Sequence, residues 1–150
     1  MKKLCALGLL SELNERDELY AQARTGALRA QCHIDPRRAT DELVQAVNLG
    51  DLQPGDCRMI VTELIAVVAR LERVLSLREP VVGENAPPEL AQAQETIACA
   101  IEVLKAGKTV FPEYNKWDAL VQNVGSQAET LGASEDRMKT LGGLGYLGNG

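Results

Sequence analysis

Between Cys57 and Leu77, apolar residues recur at helical spacing: Ile60, Val61, Leu64, Ile65, Val67, Val68, Leu71, Val74 and Leu75. At ~100° per residue they cover about half the circumference of a helix. Thr62, Glu63, Arg70 and Arg73 form a narrow polar stripe, and Asp56, after the turn DLQPGD, is placed to cap the start. About twenty residues without a break decide for a helix over a strand, despite the β-branched content. A helix this apolar is predicted to be central, with neighbours on several sides.

The flanking segments follow the same period. Ser11 or Asn14 can cap a first helix reaching about Gln31, with Glu12, Glu15, Asp17 and Glu18 at its positive end. Its apolar face is thin: Leu13, Tyr20, Ala23, Ala27 and Ala30. Asp35-Pro36 is a cap followed by proline at the first helical position, opening a short helix that ends at Gly50. After the loop REPVVGENAPPEL, a helix from Pro88 to Ala106 carries Leu90, Ile97, Ile101 and Leu104 on one side, with Lys105, Gly107 and Lys108 as its ending. A fifth helix starts at Pro112, includes Leu120, Val121 and Val124, and stops near Gly125 or Gly132.

From Gly125 onward, 26 residues contain seven glycines, and only a piece around Ser134–Leu141 has helical character. The expected fold is therefore all-α: a compact bundle of about five helices with an extended Gly/Leu-rich C-terminal arm. The expected divisions are an apolar segment over 1–10, a helical domain over 11–124 and the arm over 125–150.

Composition changes this picture little. At 150 residues a chain can build a core without disulfides or metals. The net charge of −5, with signs interleaved, argues against a nucleic-acid footprint. The four cysteines (Cys5, Cys32, Cys57, Cys99) form no CxxC pair, and a single histidine, His33, leaves no zinc site of standard spacing. They read as reduced core residues. MKKLCALGLL imitates the start of a signal peptide, but the apolar run stops at Leu10 and no small-residue cleavage site follows. No stretch approaches ~20 apolar residues. A cytoplasmic location, or a virion assembled there, is expected, without a membrane.

Candidate chemistry is sparse. Cys32, His33 and Asp35 lie close in sequence, but adjacent helical residues diverge by ~100° and Asp35 serves better as a cap. Glu63 and Arg70, seven apart on one stripe, can each meet a partner from another helix or subunit. No phosphate loop or Glu-x-x-His pair is present, and the candidate helix-turn-helix has too long a connection and too apolar a second helix. The sequence therefore predicts no enzyme and assigns no catalytic, cofactor-binding or metal-binding residues.

Two features point to protein partners. Phe111, Tyr114 and Trp117 recur three apart, as a patch that either closes the bundle end or anchors an interface. In the arm, Leu141, Leu144, Tyr146 and Leu147 are apolar anchors between glycines. Ordering about ten residues costs ~1–2 kcal/mol each, whereas each buried anchor returns ~1.5–3 kcal/mol, so docking on a neighbour would have to tip the balance. The expected function is a non-enzymatic structural subunit of a larger, symmetric assembly, a homo-oligomer alone or with other assembly proteins. Its interface is expected at these residues together with Glu63, Arg70 and Arg73. In layout, though in no quotable motif, it resembles the adaptor and connector rings of tailed-phage heads and tails. The alternative is a small intracellular regulator or inhibitor that binds one protein through the Phe111/Tyr114/Trp117 patch.

Overall fold

Proline and capping side chains set the helix starts in this computed structural model, which describes residues 23–78 and 87–148. Among the described residues there are six helices and no strand, an all-α fold. They are α1 (residues 23–34), α2 (Pro36–Asn48), α3 (Pro54–Leu77), α4 (Pro88–Val110), α5 (Trp117–Thr130) and α6 (Glu135–Leu144). The expected apolar segment 1–10, the cap at Ser11 or Asn14 and most of the loop after Arg78 lie outside the described residues.

The start of α2 matches the sequence reading: the Asp35 side chain accepts a hydrogen bond from Arg38 N and Pro36 takes the first position. Asp56 acts from the third position of α3, its carboxylate accepting from Gln53 N at 2.9 Å, so the helix begins at Pro54 rather than Cys57. α1 turns its faces differently from expectation. Thr25, Leu28 and Cys32 are buried, whereas Ala23, Ala27 and Ala30 are exposed. The inward face is set by the few larger or better-packing side chains, and alanine contributes little burial either way.

Both α3 and α4 have neighbours on several sides. α4 packs against α2, α3, α5 and α6, while α3 packs against α4 and α5 and carries α1 through Asp56 and Glu63, with Val74 and Leu77 left exposed near its end. α4 is buried on several sides by Ala93, Thr96, Cys99, Ala100 and Gly107 as well as by Ile97, Ile101 and Leu104. Small side chains let neighbouring helices approach closely, so a stripe of large aliphatics understates how much of a helix is interior. Arg37 ties α2 to α4, donating to Glu95 at 2.6 and 2.8 Å and to Glu102.

Gly107, expected to end α4, lies inside it, and the helix continues to Val110. The indole of Trp117 occupies the space over Gly107, where a Cβ would stand 2.3 Å from Cη2. Trp117 also opens α5, five residues later than the expected start at Pro112.

The C-terminal segment is the largest correction. α5 runs through Gly125 to Thr130, and α6 follows from Glu135 to Leu144, where an extended arm was expected. The two helices pack on each other and on α4, and Leu141 is fully buried in the main core. The glycines read as flexible have defined places. Gly132 and Gly145 hold positive φ (+70° and +111°) just past α5 and α6. Across them Ala133 N donates to Ala128 O at 3.0 Å and Tyr146 N to Leu141 O at 2.9 Å. Gly125 lies under the Tyr146 ring, where a Cβ would stand 2.3 Å from Cδ1. Lys108 Nζ donates to Leu144 O at 2.6 Å and Gln122 Nε2 to Gly145 O at 2.9 Å, satisfying carbonyls at the negative end of α6.

Adding a methyl at Gly125 is expected to destabilise the chain by about 1–3 kcal/mol, because the ring above it must move. The same change at Gly142, which has open space around it, is expected to stabilise α6 by up to ~1 kcal/mol. Urea unfolding of Gly125→Ala, Tyr146→Ala and the double variant checks this: the double should cost less than the sum, by at least ~0.5 kcal/mol. Additive costs would show that the ring does not rest on Gly125.

Candidate functional site on helices α1 and α3

Arg29 and His33 are four residues apart, so α1 presents both on one face, turned toward α3. There they enclose Glu63. Arg29 Nε and Nη2 donate to Glu63 Oε1 at 3.0 and 2.8 Å, and His33 Nε2 lies 2.8 Å from Oε2. On the far side of the imidazole, Arg70 Nη1 lies 3.4 Å from His33 Nδ1. A carboxylate only accepts, so His33 Nε2–H donates to Glu63 Oε2, and the guanidinium of Arg70 stands beside the other ring nitrogen. The result is a chain of four side chains, Arg29–Glu63–His33–Arg70, lying across two helices. The hydrogen bond from His33, then that from Arg29, holds the Glu63 carboxyl below its ordinary range.

Of the residues expected at an interface, Glu63 therefore has its partners within the chain. Arg70 and Arg73 are exposed, and neither forms an ion pair with a carboxylate among the described residues. Glu63 and Arg70 are each expected to meet a partner from another helix or subunit; both do so on α1, and the four-residue spacing of Arg29 and His33 is the pattern that points to it.

The aromatic residues close the bundle end. Trp117 is 2% exposed, and its Nε1–H donates to Phe111 O at 2.7 Å. Tyr114 meets the indole edge-on, with centroids 5.1 Å apart, and both Tyr114 and Phe111 are half-buried against the core. The three do not share a helix face, because residues 112–116 form turns before α5. In the C-terminal segment Leu141 is core, Leu144 and Tyr146 are half-buried against that core, and Leu147 is exposed. Burial, then the nearby Glu129 carboxylate, raises the Tyr146 phenol above its ordinary range.

Cys32 faces the core, and burial, then Glu63 and Cys99, pushes its thiol up to about 11. His33 points outward to Glu63, and Asp35 caps α2, so these three neighbours in sequence do not converge. Among the described residues no three His, Cys, Asp or Glu side chains are grouped to hold a metal ion, and no helix is long and apolar enough to cross a membrane.

Two depressions lie on the described surface. One, of about 470 Å³, lies where the α1–α2 corner meets α3 and the first turns of α4, between Ile34, Arg37, Val67, Arg70, Leu71 and Gln92. The other, of about 630 Å³, is an open groove between α2 and α4, with Val44 and Ala106 between Asp41, Glu102 and Lys105. No family model matches this chain, and no curated protein or solved structure is significantly similar to it.

The lowered Glu63 pKa fixes a pH dependence. A carboxylate whose folded pKa lies below its unfolded one contributes stability that is present above the unfolded value, ~4.5, and lost as pH falls through the folded value. Glu63→Gln removes that contribution. The wild-type advantage over Glu63→Gln is therefore expected to be full near pH 6 and to shrink below ~4.5. Chemical unfolding of both chains across pH 3–7 reads the difference; an advantage independent of pH would show that the carboxylate is not held by charge.

Proposed function

We propose that this chain is a non-enzymatic subunit of a protein assembly that contacts its neighbours, copies of itself, through the surface shared by the end of α1 and the second half of α3. The observation carrying this reading is an uncovered apolar row beside unpaired cations. Ile34 and Leu77 are each 79% exposed and Val74 is 43% exposed. Arg70, Val74 and Leu77 lie four and three apart on α3, hence on one face, and Ile34 borders the same depression as Arg70. Large aliphatic side chains around arginines are the composition of an interface centre, where arginine is enriched and lysine and glutamate are depleted.

The contact surface in this reading is not a C-terminal arm, since residues 125–148 are engaged by their own bundle. The likeness to phage connector rings rested on that arm and adds nothing here. An aromatic hot spot at Trp117 finds no support either, because the indole faces inward. Arg70 and Arg73 keep the role expected of them, whereas Glu63 acts within the chain by holding His33.

Cutting the chain after Leu131 would remove Leu141 from the core and confound assembly with folding. Leu77→Asp is the cleaner variant, because it alters an exposed side chain, with a stability effect expected within ~0.5 kcal/mol. Light scattering over a concentration range is expected to show an oligomer for the wild-type chain and at least about tenfold weaker association for Leu77→Asp. A wild-type chain that stays monomeric at every concentration overturns self-assembly.

A further inference from the structure

We infer that the depression between the α1–α2 corner, α3 and α4 is a binding site for a monocarboxylate bearing a short aliphatic chain. Two properties of its lining point to this chemistry. Its apolar wall is made by Val67 and Leu71, both buried, and by the exposed Ile34. Its cationic edge holds one guanidinium free of any carboxylate partner. Arg37 also borders it but is engaged by Glu95 and Glu102. Among the described residues Arg70 has one polar contact, His33 Nδ1 at 3.4 Å, which leaves most of its donors unused, and a fork of parallel N–H groups matches a carboxylate. The Gln92 side chain, also on the edge and without a hydrogen bond among the described residues, supplies a further amide donor.

Arg29 and Glu63 hold the imidazole, and Arg70 Nη1 stands 3.4 Å from its Nδ1, so the row of side chains ends on a guanidinium at the edge of the depression. The remaining charges select against other anions. Asp35 and Glu95 both border the depression and would repel a dianion such as a phosphate monoester more strongly than a monoanion. The volume, about 470 Å³, is within the range of small-ligand sites.

This inference does not rest on the assembly reading, although Arg70 and Ile34 serve both, so the test uses the wild-type chain and Leu77→Asp side by side. Octanoate, acetate and octylammonium are titrated into ¹⁵N-labelled protein, following the amides of Ile34, Leu71 and Gln92 and the Arg70 Nε–H. Octanoate is expected to move these signals together and to saturate. Acetate, lacking the chain, and octylammonium, with the opposite charge, should bind at least about tenfold more weakly. Arg70→Gln should weaken octanoate by about tenfold or more, with Arg70→Lys between, because lysine keeps the charge but not the fork. The blocked tripeptide Leu-Glu-Leu separates the two sources of this chemistry: tighter binding than octanoate assigns the site to a protein segment, weaker binding to a free acid. Shifts scattered over the surface, equal binding of octylammonium, or an unchanged Arg70→Gln affinity would overturn the inference. Binding in Leu77→Asp alone would still support it, with the site covered in the oligomer.

Discussion

Two aromatic rings lying against helical glycines organise the C-terminal half of this protein. Trp117 rests on Gly107 of α4, and Tyr146 rests on Gly125 of α5. Each contact requires that the helix beneath present no side chain, and each fixes the element that follows or precedes the ring. The first sets the angle at which α5 leaves the end of α4, aided by the bond from the indole to Phe111 O. The second returns the chain after α6 onto α5. A buried ring of this size removes ~150–250 Å² from water, which offsets the cost of a glycine inside a helix, ~1 kcal/mol.

This constraint also explains which parts of the fold were legible in the sequence. Helix α2 was readable to within two residues at either end, because Asp35, Pro36 and Gly50 each act locally, through a cap, a ring-fixed φ and a positive φ. α3 was readable as a helix because its apolar pattern is long and unbroken. Its apolar content also predicts neighbours on several sides, and α1, α4 and α5 supply them, but the pattern does not say that Val74 and Leu77 stay uncovered. α5 ends beside Gly132, one of its two expected stops, whereas Gly107 and Gly125 lie inside helices; a glycine that terminates a helix and one that admits a ring look the same until the ring is located. The rings lie 10 and 21 residues further on, beyond the reach of any local pattern.

The surface of α1 and α3 shows the same limit. Glu63 and Arg70 stood out as charges on an apolar helix, but their meaning depends on α1, which approaches with Arg29 and His33. Charge on a helix face identifies that something must answer it; only the packing says whether the answer comes from the same chain. Here it does for Glu63, and the arginines beyond it are left facing outward beside Ile34, Val74 and Leu77.

The buried thiols have a consequence of their own. Cys32, Cys57 and Cys99 lie on α1, α3 and α4, each with its thiol pushed up to about 11 by burial. At neutral pH the reactive thiolate is therefore scarce, and water-soluble reagents reach it only when the surrounding helix opens. Three helices thus carry built-in clocks: the rate at which each sulfur is modified measures how often its own part of the bundle breathes.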